Sequence, residues 1–164
     1  MANWCKTKYV ITGSNEDISN LNSIFQRLLK EEVNKSSNVD NTWLGHIVNE
    51  LDENPDNIKC RGWFESVKLK NSSTLSLTTW SAWSPCHELF ELIVKKFPTL
   101  QYYFISSEPG LAVYITNDAD KKYFRYGKKY DVIDKETIKQ LISMVKNYKY
   151  EVRDENNVVR VVQR

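Results

Sequence analysis

From Cys5 to Thr12 the chain alternates, with Tyr9 and Ile11 in one phase and Val10 in the other, and Gly13-Ser14-Asn15 closes the run as a turn. That pattern predicts a strand. Ile18, Leu21, Ile24, Phe25, Leu28 and Leu29 then recur at helical spacing, with Glu16 and Asp17 in the first turn and Lys30 near the end, as the helix dipole favours. Asn34 to Asn41 is polar and Ser-rich and predicts a surface loop. Leu44, Ile47, Val48 and Leu51 step by three and four, which suggests a short helix. Pro55 among Asp52, Asn54, Asp56 and Asn57 forces a turn. Cys60 to Lys70 and Thr74 to Thr79 alternate around Asn71-Ser72-Ser73 as a β-hairpin.

Ser84-Pro85 reads as a helix start, Ser capping free amides and Pro costing no hydrogen bond at the first helical position. Leu89, Phe90, Ile93 and Phe97 form the apolar stripe of that helix, and Pro98 stops it. Strands are expected at Leu100 to Ser106 and Leu111 to Thr116, joined by Ser107-Glu108-Pro109-Gly110. Lys121 to Val132 is a basic, Tyr-rich connection. Asp134 then caps an amphipathic helix with Ile138, Leu141, Ile142 and Val145 inward. Tyr150 to Arg153 and Val158 to Val162 suggest a terminal hairpin with alternate residues exposed. The succession predicts an α+β sandwich, helices on one face of a mainly antiparallel sheet, with a C-terminal helix and hairpin added.

Length agrees with a single domain, since 164 residues suffice for one core. Three cysteines, Cys5, Cys60 and Cys86, are odd in number and lie outside any metal-binding spacing, so reduced thiols, no metal and no cofactor are expected. No stretch reaches the apolar length of a membrane span and Met1 to Lys6 does not read as a signal, so a cytoplasmic protein without a membrane partner is expected. Net charge is +2, but residues 1–119 carry 11 Lys/Arg against 14 Asp/Glu, and residues 120–164 carry 12 against 7. The excess at the C-terminal end would attract an anion, although a solvated helix and strand account for it more simply.

Catalytic signals are sparse. His46 and His87 belong to no paired motif, and no GxSxG, P-loop or GxGxxG occurs. Glu108 and Asp118 could meet across a strand pair, yet both sit in turn sequences. The aromatic hairpin Trp63 to Trp83 says more, because Trp80 and Trp83 are three apart and break the phase that Leu75 and Leu77 keep. One indole is therefore expected at a rim, where it could stack on a flat ligand, while burial of both in the core is the competing reading.

The ligand-binding set expected around it is Arg61, Trp63, Trp80, Trp83, Ser84, Glu108, Tyr114, Asn117 and Arg125, with the amides at the start of the Ser84-Pro85 helix as an anion-friendly edge. Such a cleft suits a nucleotide-type small molecule. It also suits single-stranded nucleic acid, for which Lys121, Lys122, Arg125, Lys128 and Lys129 would supply charge, or an aromatic patch for a host protein. Pairing of terminal strands between chains is a route to a homo-oligomer.

Trp43-Leu44-Gly45, Cys60-Arg61-Gly62, Ala82-Trp83-Ser84-Pro85, Phe97-Pro98, Glu108-Pro109-Gly110 and Tyr114-Ile115-Thr116-Asn117-Asp118, after Met1-Ala2-Asn3-Trp4-Cys5, follow the order seen in YubB-type ferredoxin-like proteins of phages, plasmids and conjugative elements. The chain resembles that family over residues 1 to about 130, with residues 131–164 outside it. The resemblance implies a ferredoxin-like core, a mobile-element origin and no iron-sulfur cluster. It brings no catalytic residues. The expected role is that of a non-enzymatic accessory protein that binds a nucleotide-type molecule, such as a host defence signal. Binding of nucleic acid or a host protein is the alternative, and a phosphodiesterase-like enzyme ranks third.

Overall fold

The computed structural model describes residues 3–30, 41–146, 148–153 and 158–163, with side chains up to residue 143. The expected loop at 34–41 lies almost wholly outside the described residues. The chain forms two compact units, residues 1–132 and 133–164.

The first unit is built on six strands: β1 (Trp4–Thr12), β2 (Gly62–Asn71), β3 (Thr74–Ala82), β4 (Gln101–Glu108), β5 (Val113–Thr116) and β6 (Asp131–Val132), in the order β2-β3-β1-β4-β5-β6. Only the β5–β6 pair is parallel. Helix α1 (Asn15–Lys30) carries the chain from β1 towards β2, with α2 (Leu44–Glu50) following, and α3 (His87–Lys96) joins β3 to β4. β1 ends up central because the first crossover leaves a place beside it for β3, which is joined to β2 in a hairpin, and the second crossover passes over β1 to set β4 on its other side.

Alternation explains the two sides of the sheet. Cys5, Thr7, Tyr9 and Ile11 of β1 are fully buried. Above them Tyr9 stacks on Phe90 of α3 at 3.6 Å between centroids, and Phe64 of β2 meets Phe25 of α1 edge-on at 5.3 Å. Ile18, Leu21, Ile24 and Leu28 complete the α1 face. Leu29, expected inward, is 50 % exposed, because one step past Leu28 turns it about 100° from the sheet.

The inward phase turns polar at one end of the sheet. Thr7, Thr79, Ser81, Ser106 and Glu108 are all buried beside Cys5, and Ser106 lies 2.8 Å from the Thr7 hydroxyl and 2.9 Å from the Cys5 sulfur. At the outer edge, β2 pairs with β3 through register shifts at Phe64/Ser66 and Leu69/Asn71.

The predicted helix at Ser84-Pro85 begins later, at His87. β3 persists to Ala82, Trp83 adopts φ 63°, and Cys86 is the N-cap without a side-chain hydrogen bond. Ser84 caps nothing: its carbonyl accepts from the Ser81 hydroxyl at 2.8 Å and its own hydroxyl accepts from Lys59 Nζ.

In the second unit, α4 (Lys135–Lys146) starts as predicted, Asp134 Oδ1 accepting from Thr137 N–H at 2.8 Å. Ile138 is buried, but Leu141, expected inward, is 37 % exposed. β7 (Tyr148–Arg153) and β8 (Val158–Gln163) form an antiparallel pair. The expected alternation of exposure along this hairpin lies outside the described side chains. Among the described residues no helix is long and apolar enough to cross a membrane.

Candidate functional site

Strand register arranges the side of the sheet opposite α1 and α3 in rows. One row runs Trp63 (β2), Trp80 (β3), Lys6 (β1), Ser107 (β4), Tyr114 (β5). At 4.7–4.9 Å per strand it spans roughly 19 Å. The next rows place Lys8 between Thr78 and Ile105, and Val10 between Ser76 and Tyr103, with Lys68 of β2 opposite Ser76. Trp63, Trp80, Tyr103 and Tyr114 are half-buried, and Lys8 and Lys68 are exposed.

The tryptophan end is a cluster. Trp4, 38 % exposed, meets Trp63 edge-on at 4.6 Å, and Trp63 lies nearly parallel to Trp80 at 6.4 Å. Lys6 Nζ sits 4.7 Å over the Trp80 ring and 2.9 Å from Glu65. Glu65 is held below the usual carboxylate range by Lys6 first and then by the Trp80 N–H.

The tyrosine end is built by residues 117–130. Asp118, buried, accepts from the backbone N–H groups of Lys122, Tyr123 and Phe124 at 2.8–3.0 Å, which folds the connection against the sheet edge. Tyr123 then reaches 4.6 Å from Tyr103, with Lys122 over both rings. Lys129 lies 4.5 Å over Tyr114, which meets Tyr130 edge-on. Among the described residues, Lys8, Lys68, Lys121, Lys122, Arg125, Lys128 and Lys129 form no ion pair. A cation held over an aromatic ring keeps its charge available to a further anion.

Of the expected site residues, Trp63, Trp80 and Tyr114 thus share one row. Arg61, Trp83 and Ser84 gather instead at the end of the sheet. Trp83 is 44 % exposed with Arg61 5.2 Å over its ring, and its backbone N–H donates to the Asn3 carbonyl at 2.8 Å. Positive φ at a bulky residue costs about 1–3 kcal/mol, and an indole this exposed recovers little of that by burial.

Glu108 and Asn117 face elsewhere. Both Glu108 carboxylate oxygens accept backbone N–H groups, from Gly110 and Leu111, and the residue is 2 % exposed. The Asn117 side chain completes β4, accepting from Phe104 N–H and donating to the Tyr102 carbonyl. Arg125 is exposed on the 117–130 connection.

Trp4, Lys6, Lys8, Tyr103 and Tyr123 were not singled out from sequence. The outward phase of β1, Trp4-Lys6-Lys8, was the available signal, but it becomes meaningful only once β1 is known to be central.

The buried reactive groups are tuned away from chemistry. Desolvation pushes the Cys60 thiol up to about 11 and Cys86 to about 12, so neither is a thiolate at neutral pH. His87, 6 % exposed, has both ring nitrogens unpartnered, and burial followed by the Lys59 charge lowers it to about 4. Among the described residues, no group of three His, Cys, Asp or Glu could hold a metal ion. Comparison of the chain with family models, with curated proteins and with solved structures finds no match.

Proposed function

We propose that this chain is a binding module for single-stranded nucleic acid, laid across the open sheet face with bases on the tryptophan and tyrosine ends and phosphates on the lysines between and beside them. The observation that carries the reading is the row Trp63, Trp80, Lys6, Ser107, Tyr114. Its aromatic ends are roughly 14–19 Å apart by strand spacing, several nucleotides of extended strand, whereas a free mononucleotide would occupy one end only. That width favours a strand over the small nucleotide that an undivided cleft would have held.

The order β2-β3-β1-β4 with α1 and α3 as crossovers supports the finer description of the core as ferredoxin-like, a fold whose uncovered sheet face is free to present side chains. The ordered short motifs support placing the chain beside YubB-type proteins, and an accessory role on a mobile element accompanies that placement.

Fluorescence anisotropy with a labelled 12-nucleotide oligothymidylate tests the reading. Stacking is worth about 1–3 kcal/mol per base, so Trp80→Ala weakens binding about 5- to 150-fold. Four phosphate contacts through Lys8, Lys68, Lys122 and Lys129 give a log–log salt slope of about −3, or about 50-fold between 50 and 200 mM salt. Absence of a complex at 50 mM salt refutes the proposal.

A further inference from the structure

At the sheet end beyond the open face, Arg61 continues the outward phase of Trp63, and its carbonyl accepts from Ala82 N–H at 3.0 Å. Its guanidinium lies over Trp83. Two residues upstream, Lys59 directs Nζ to the Ser84 hydroxyl, while its backbone N–H donates to the buried Glu88 at 3.3 Å. Among the described residues neither Lys59 nor Arg61 is ion-paired. The corner therefore holds two cations without a salt bridge among the described residues, with the Glu88 carboxylate bonded to the Lys59 main chain, beside an exposed indole held at positive φ.

We propose that this corner is a phosphomonoester subsite, which takes a nucleobase on the Trp83 indole and the phosphate attached to it on Arg61 and Lys59. A monoester carries about −1.5 to −2 charge at pH 7, against −1 for a diester inside a strand, and so matches two cations where a diester matches one. The guanidinium fork suits phosphate oxygens, and its position over the indole leaves the N–H rim to donate. The Ser84 hydroxyl, on the residue next to Trp83, accepts from the Lys59 ammonium and so keeps that charge close to the Trp83 main chain.

The same chemistry is offered by a phosphorylated strand end and by a free nucleoside monophosphate, and the subsite stands independently of the sheet-face reading. The full chain is titrated with an 8-nucleotide oligothymidylate bearing a 5′-phosphate, a 3′-phosphate or neither, and separately with thymidine and thymidine monophosphate while tryptophan emission is followed. The expected result is about tenfold tighter binding of one phosphorylated oligomer, lost in Arg61→Gln and Lys59→Gln. Quenching by the monophosphate but not the nucleoside is expected too, and is lost in Trp83→Phe.

Trp83→Gly relieves the positive φ, so it keeps or raises the thermal midpoint while abolishing the phosphate advantage, which a purely structural tryptophan would not do. Phosphate dependence in the oligomers alone assigns the strand end, and quenching by the monophosphate alone assigns the free nucleotide; either supports the subsite. Equal affinity for all three oligomers together with no monophosphate quenching overturns it, as does a phosphate advantage that survives both Arg61→Gln and Lys59→Gln. An oligomer that binds with no phosphate dependence and no quenching rejects the corner but leaves the sheet face standing. Quenching without any oligomer binding rejects the sheet face and leaves the corner.

Discussion

Lowering the pH should destabilise this protein through one histidine. His87 is buried at the first turn of α3, edge-on to Phe104 at 5.0 Å, with Lys59 as the nearby charge and no partner for either ring nitrogen. Its folded value of about 4 lies below the ordinary 6.5, so the unfolded chain binds the proton more readily. Stability from this group is therefore complete above about pH 6.5, is lost as pH falls towards 4, and is constant below that. The full difference of about 2.5 units is worth about 3 kcal/mol, and about 2 kcal/mol of it is gone by pH 5. Urea titrations at pH 7.5, 6.5, 5.5 and 5.0 measure it, with a midpoint drop of about 1 M by pH 5. A His87→Leu variant supplies the reference, since it keeps the carboxylates that also titrate, including Glu65 and Asp134, whose lowered values act further down the scale. Its midpoint should hold nearly level over this window. Parallel profiles for parent and variant would refute the reasoning, because they would mean that the imidazole takes up its proton without cost.

Three further outcomes follow from packing and backbone geometry. Gly62→Ala places a Cβ 2.0 Å from the Trp80 carbonyl oxygen, and because both are strand backbone the loss should be about 2 kcal/mol or more in thermal or urea unfolding. Asp118→Ala strips the acceptor from three backbone N–H groups, which should cost about 2–4 kcal/mol and raise amide exchange at Lys122, Tyr123 and Phe124 by hydrogen-exchange NMR. Ala112→Gly, at φ 55°, should gain about 0.5 kcal/mol, a rise of one or two degrees by calorimetry; a loss would show that the alanine methyl contributes packing.

Local periodicity carried the elements well where burial and propensity agree, as in β1 with Tyr9 and Ile11 inward and in α1 with its five buried apolar residues. It was misleading at Ser84-Pro85, where the cap-like hydroxyl is occupied by a tertiary bond from Lys59 that no local rule anticipates, and the Ser84 carbonyl by a local bond from Ser81. It was also blind to Thr7, Thr79, Ser81 and Ser106, since polar residues in a strand read as solvent-facing until the layer that satisfies them is known. Tyr114 was named from sequence as a partner of Trp80, but its place in the same row depends on β1 and β4 lying between them, which is a property of strand order alone.

The two register shifts in β2 bear on how the molecule meets others. An incoming strand needs an even run of N–H and C=O groups along the rail it joins, and β2 supplies an interrupted one. Part of that rail is already taken by Trp43 bridging Trp63 and by Phe64 N–H donating to the Thr42 carbonyl, and Lys68 and Lys70 stand exposed along the rest. At that edge the sheet cannot be lengthened sideways by another copy or by an extended peptide without first being straightened. Whatever docks on this unit from the β2 side must come broadside, against side chains rather than main chain, and its selectivity will be written in rings and charges.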